Sequence, residues 1–456
     1  MTADPQRRRR ASLIGVAGLV FATLAIVVLV VVGVVTLRSS EEGTAVAPEE
    51  RPSQRFPSTP AAMVAVTSGE RLSSVVVMVL DPIGIGGSVV TVPVNVDTTA
   101  GLGRERTPLA RRAFEVGDPS PLADELVPLL GMQPTFLEVV DGDQLEELLG
   151  LAGQTSVSLP EDVVDVGGDT PVTVAPEGDD ALRPDEVVAV LTSIDSSGSS
   201  YDHHDVDVAV WESIALAWSR RSGSVVVSRD EAGEPVAPDT FEEFVERLRA
   251  GSVAVRDLAI DPRAAIVLDN PTDADFVALD RRDSLLVFAS IAPERVLAPN
   301  PTLTFSIVAP FTDAQIAAAG EGLSTAGLIR DLIGELTFLE VNVVSVDTRP
   351  GEGGAASETV VVADDEEFVD PGSVPALIGE SSSRVAARDT EGSDVTLVLG
   401  TDFLAHRVEL LAEEAASRAD DDGAADFDVS GGDTDETDET DGSGDDGTND
   451  ASGDGS

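Results

Sequence analysis

Residues 75–98 read VVVMVLDPIGIGGSVVTVPVNVDT. Two β-branched runs flank a turn-forming segment rich in Gly and Pro, which predicts an antiparallel strand pair, 73–80 and 89–96, joined by a turn over 81–88. The glycines at 84–87 invite comparison with a phosphate-binding loop. They join two strands and open no helix, so a hairpin turn is the expected reading.

Downstream, the pattern alternates between β-branched runs and stretches of helical spacing. Helices are predicted over 122–130, 143–151, 185–192 and 206–220, and strands over 136–140 and 155–159. After the Pro-Asn-Pro at 299–301 a second block begins. Strands are predicted over 302–308, 340–346, 358–362, 384–387 and 394–399, with helices over 312–333 (interrupted by glycine) and 371–378. Interleaving of this kind indicates an α/β class: a layered α/β/α domain over 61–298, then a smaller α/β domain over 299–405 and a helical extension over 406–419.

The flanks have different compositions. Arg7–Arg10 form a cationic block before an apolar run over 11–37, long enough to cross a hydrocarbon core of roughly 30 Å. Acidic residues follow at 41, 42, 49 and 50, so charge asymmetry places residues 1–10 in the cytoplasm and the bulk outside the cell membrane. A cleaved signal peptide is the alternative, but its apolar region would be shorter and no small-x-small site follows Leu37. Residues 38–60 read as a flexible linker. Residues 420–456 hold 15 acidic residues and no basic one, a composition that reads as a disordered acidic tail.

Composition excludes much chemistry. The net charge of −54 argues against nucleic-acid partners. With no cysteine there is neither a disulfide nor a thiolate site, and with no lysine neither a P-loop lysine nor a Schiff base. Residues 201–205 (YDHHD) gather two of the three histidines beside two carboxylates. A metal or catalytic site would use such groups, but neighbouring side chains in a loop point apart, and Asp205 makes an ordinary N-cap for the helix that follows. Trp211 and Trp218 share a helical face, either as core or as the lining of a lipid-tail pocket. Arg104, Arg106, Arg111 and Arg112 form the densest cationic cluster beyond the membrane flank, suited to an anion or to surface pairing with nearby acids.

Three stretches carry a resemblance: 75–98, 113–150 (AFEVGDPSPLADELVPLLGMQPTFLEVVDGDQLEELLG) and 394–403 (DVTLVLGTDF), the last closing a domain that opens over 302–346. With the N-terminal anchor, they resemble the LytR–CpsA–Psr (LCP) family with a C-terminal LytR-type domain. The resemblance implies an extracytoplasmic protein of cell-wall glycopolymer assembly. Such proteins transfer phosphoglycan from a polyprenyl-pyrophosphate carrier to peptidoglycan, using Mg2+, arginines on the pyrophosphate, aspartates on the metal and an apolar lipid pocket.

The motif residues depart from that pattern. The arginine of Pro-Arg-Asp-Thr falls on Val94 or Val96, leaving Asp97 for the metal beside Thr98. No acid stands at 72–74, and no arginine stands in 195–211. The expectation is a catalytically degenerate binding or scaffolding factor without a cofactor, partnered by lipid-linked glycan, peptidoglycan or an active LCP paralogue. One alternative is an active, Mg2+-dependent phosphotransferase in which Arg104, Arg106, Arg111 and Arg112 hold the pyrophosphate. Another is a structural wall-binding protein.

Overall fold

The computed structural model describes residues 56–98, 109, 114–151, 153–166, 170–194, 201–220, 225–260, 277–363, 365, 368, 374–386 and 392–424. The apolar run over 11–37, the four arginines at 104, 106, 111 and 112, and the tail beyond 424 lie outside the described residues. No described helix is long and apolar enough to cross a membrane.

The first sheet is built from β1 (Ala61–Ser68), β2 (Arg71–Leu80), β3 (Gly87–Val92), β4 (Phe136–Val140) and β9 (Val253–Asp257), in the order β4-β1-β2-β3-β9. The two inner pairs are antiparallel, while β4 and β9 add in parallel at the edges. β1 and β2 are buried on both faces, which is why they read as continuous runs of Val, Ala and Met instead of alternating. Even-numbered Val64, Val76 and Met78 enter one core with α2 (Gly142–Leu149), α3 (Pro184–Leu191), α4 (Tyr201–Ser219) and α5 (Phe241–Arg249). Odd-numbered Met63, Val75 and Val77 enter another, with α1 (Ser120–Leu130) and Phe288 of α6 (Arg281–Ile291). Helices thus cover both faces, giving three layers. Two ribbons lie beside the sheet: β5 (Thr155–Leu159) with β8 (Gly178–Leu182), and β6 (Val163–Asp165) with β7 (Val172–Ala175).

The 84–87 segment is a hairpin turn. Gly86 (φ +68°) and Gly87 (φ +147°) occupy backbone conformations that favour glycine. Their amides donate to the carbonyls of Arg247 and Ser252, which docks the turn against the junction of α5 and β9.

The second sheet has the order β11-β10-β14-β12-β13, from β10 (Thr304–Val308), β11 (Asn342–Asp347), β12 (Thr359–Ala363), β13 (Ser381–Val385) and β14 (Val395–Val398). The helix expected over 312–333 is two, α7 (Asp313–Ala319) and α8 (Thr325–Phe338), each with its own Thr or Ser cap. Leu328, Ile329, Leu332 and Ile333 of α8 pack in this core, with Phe311 stacked on Phe403. A short α9 (Val374–Ile378) and a terminal α10 (Thr401–Ala424) complete it. α10 begins ahead of the expected 406 and reaches past 420. The connecting helix α6 serves both sheets: Phe288 lies in the first sheet's core, Leu286 and Ala289 in the second's.

Candidate functional site

Helix α4 starts at Tyr201, so the His-His-Asp segment is helical and not a loop. Asp205 is therefore no N-cap; it lies one turn inside the helix and is exposed. Buried positions fall at 204, 206, 207, 210, 211, 214, 215 and 218, and of these 204, 207, 211, 214 and 218 have the spacing of one stripe along the helix. That face is polar at its start, with His204 and Asp207, and apolar beyond, with Trp211, Ile214 and Trp218. From His204 to Trp211 is about 10 Å along the axis.

The sheet beneath α4 is divided in the same way. Val76 of β2 pairs with Thr91 of β3, and Thr91 with Asp257, the last residue of β9. Ser74 is the next residue on that face of β2, opposite Val66. The layer between α4 and the sheet thus has one polar end, bounded by Ser74, Thr91, Asp257, His204 and Asp207, and an apolar body.

His204 Nε2 lies 2.6 Å from Asp257 Oδ1, with the imidazole 3% exposed and the carboxylate 45%. His204 Nδ1, Ser74 Oγ and Trp211 Nε1 are all buried without a hydrogen-bond partner. A buried polar atom left in that state costs about 1–3 kcal/mol. Trp218 differs: its Nε1 donates to Leu149 O at 2.9 Å, and its ring meets Trp211 edge-on at 6.3 Å. Both indoles are fully buried among apolar side chains, the arrangement of a core.

Asp97 is 5% exposed, and its amide donates to Val277 O at 2.9 Å. Next to it, Thr98 Oγ1 donates to Glu125 Oε2 of α1. Asn95 is 1% exposed, and neither of its amide atoms has a hydrogen-bond partner. Magnesium at a phosphate site takes one or two carboxylates plus phosphate oxygens. Among the described residues no three His, Asp or Glu side chains converge to hold a metal ion. Nor is a buried arginine available: among the described residues only Arg247 and Arg407 are buried, and they pair with Glu243 and Glu335.

Of the expected site residues the structure describes only Asp97. Asp97 is placed at the end of the β3 extension, and the four arginines lie outside the described residues. Sequence reasoning missed Ser74, Asp207 and Asp257. The i, i+3, i+7 spacing from His204 to Trp211 was the available signal for Asp207; Ser74 and Asp257 emerge only from strand register.

No protein-family model matches the sequence, and no curated protein matches it either. Among solved structures, B. subtilis TagV is similar over 50% of this chain and 94% of its own, at 13% identity and a TM-score of 0.34. A LytR-Csp2A-Psr enzyme from Actinomyces oris is similar over 50% and 89%, at 15% identity and a TM-score of 0.32. The LytR-CPS2A-psr family protein YwtF (TagT), with bound octaprenyl pyrophosphate lipid, is similar over 51% and 90%, at 11% identity and a TM-score of 0.31. Superpositions this loose, at such identities, carry no argument about function.

Proposed function

We propose that the chain is a membrane-anchored, extracytoplasmic LCP-like protein that acts as a catalytically degenerate binding or scaffolding factor in cell-wall glycopolymer assembly. The motif stretches at 75–98, 113–150 and 394–403 support the family reading. One observation carries the degenerate reading: Val94 or Val96 stands where the motif has its arginine, and the two buried arginines among the described residues are already paired with Glu243 and Glu335. Transfer of a phosphoryl group develops negative charge, which cations must neutralise; removing one such contact costs roughly 3–4 kcal/mol of barrier.

The test uses the full-length chain in detergent, titrated with a polyprenyl pyrophosphate with and without Mg2+, following both binding and phosphate release. Binding without release is expected. Mg2+-dependent release would overturn the degenerate reading in favour of an active phosphotransferase. Alanine substitutions at Arg104, Arg106, Arg111 and Arg112 would then show whether those side chains hold the pyrophosphate. Retention on peptidoglycan with no binding of the lipid carrier would instead indicate a structural wall-binding protein.

A further inference from the structure

Exposed apolar side chains gather on both sides of the point where the chain enters the first sheet. Pro60 precedes β1, and its carbonyl accepts from Leu80 N at 2.9 Å, so the entry lies beside the start of the 81–86 turn. That turn exposes Pro82 and Ile83. A Cβ on Gly84 would stand 2.9 Å from Pro235 Cβ and 3.0 Å from Val227 Cγ1, which places the segment 225–237 against the turn. The segment folds back on itself, Val236 N donating to Ser228 O and Asp230 N to Glu234 O. It leaves Val226, 90% exposed, in the open with Val236 and Ala237.

On the β4 side of the entry, Thr59 N donates to Glu294 Oε2 at 3.1 Å. Residues 295 and 297 pair with 133 and 131, just ahead of β4. The chain then reaches Asn300, whose backbone exchanges two hydrogen bonds with the Asn342 side chain, and Thr302, whose Oγ1 donates to Glu340 O. These contacts fix the end of α8. There Phe338 is 87% exposed and Leu339 is exposed beside it. Glu340 takes φ +60°, the only non-glycine residue with positive φ among the described residues. Glycine would make that reversal without strain, and a strained residue behind an exposed Phe-Leu pair points to a use for the pair.

Single exposed apolar side chains are ordinary; two groups flanking the chain's entry are not. In the sequence, 22 residues (38–59) separate the apolar run over 11–37 from Pro60, a stretch that reaches at most about 75 Å. A bilayer held within that reach is the apolar partner this end of the protein meets, and tethering makes a weak contact intramolecular. Charge does not supply the attraction, since the net charge is −54 and the 228–234 tip carries Asp230, Glu231 and Glu234. We propose that this end of the protein rests on the membrane. Ile83 and Val226 on one side of the entry, and Phe338 and Leu339 on the other, enter the boundary between headgroups and acyl chains. The inference rests on the membrane-anchored reading and adds which face turns to the lipid.

The chain holds no cysteine, so one introduced residue takes a nitroxide label uniquely. Ala237→Cys and Thr337→Cys place labels at exposed positions beside the two groups. Val116→Cys places one at the opposite end of the sheet, where Phe114 N donates to Glu70 O and Gly117 N to Val139 O. The full-length chain is reconstituted in phosphatidylcholine vesicles, and relaxation by lipid-soluble oxygen is compared with relaxation by a water-soluble nickel chelate. The oxygen-to-nickel ratio at 237 and 337 should exceed that at 116 by about threefold or more. Phe338→Ser with Leu339→Ser should return the label at 337 to the level at 116, and Ile83→Ser with Val226→Ser should do the same at 237. All four side chains are exposed, so the serine variants should melt with the parent. Equal ratios at the three positions, in protein that floats with the vesicles, overturn the inference and leave the anchored reading standing. Raised ratios that the serine variants do not lower overturn it as well. Protein that does not float with the vesicles removes the anchored reading and this inference together.

Discussion

His204 Nε2 and Asp257 Oδ1, 2.6 Å apart, tie the first turn of α4 to the last residue of the edge strand β9. The two are 53 residues apart in sequence, and the contact closes the polar end of the interlayer. His204→Ala should lower stability by about 1–3 kcal/mol, the cost of a buried hydrogen bond with a charged partner together with lost packing. A smaller loss is expected for Asp257→Asn, whose amide oxygen still accepts from the ring and whose side chain reaches solvent. Urea midpoints of both variants against the parent provide the check.

The two tryptophans should respond unequally to the same substitution. Trp218→Phe leaves Leu149 O without its donor, whereas Trp211 Nε1 has no partner to lose. Trp218→Phe should therefore cost about 1 kcal/mol more than Trp211→Phe, beyond the packing loss both share. Equal midpoints for the two variants would contradict the assigned bond.

Glu138, on the edge strand β4, has its carboxyl held above the ordinary range by burial and then by the nearby Glu242. A carboxyl raised by folding binds its proton more tightly in the native state than in the unfolded one. Its contribution is thus fully present below the unfolded value, about pH 4.3 for glutamate, and is lost as pH rises through the higher folded value. Glu138→Gln should raise stability at neutral pH relative to the parent, with the gap closing in acid. Denaturant titrations at several pH values would show the convergence.

The hairpin turn leaves no room for a side chain. A Cβ at Gly87 would stand 1.9 Å from Val79 O, and one at Gly86 would stand 2.4 Å from Ser252 O. Backbone oxygens cannot retreat as a flexible side chain can. Gly87→Ala should cost at least about 2 kcal/mol, combining strain at positive φ with displacement of the β2–β3 pairing. A thermal melt unchanged from the parent would show that the turn is not held as described.

Much of the architecture was legible because its elements are amphipathic or bounded by Gly and Pro. The β2–β3 hairpin, α1, β4, α2 and the succession of strands and helices along the second block all followed from such signals. β1, with its AAMVAVTS, went unread: a central strand buried on both faces has no alternation to detect, and its alanines are poor strand formers. β9 is short and ends in Arg-Asp, so its position beside β3 depends on a partner more than 160 residues earlier. The start of α4 was misplaced because Tyr, His and Asp have low helix propensity, and here burial of His204 and Asp207 overrides it. The Trp pair and the glycine hairpin matched their plain structural readings. The polar end of the interlayer could not be read at all, since it draws one residue from each of three strands and two from a helix.

Helix α6 gives Phe288 to one core and Leu286 and Ala289 to the other, and beyond it Gln133 N donates to Arg295 O and Leu297 N to Gly131 O. The Pro-Asn-Pro at 299–301 therefore marks a change in chain direction, not a seam in the packing. A chain severed there would leave α6 on the N-terminal piece with an apolar stripe facing water, and would strip a wall from the C-terminal piece. Recombination at that point would damage both halves. The smallest portion of the second sheet that can be inherited whole begins at Arg281.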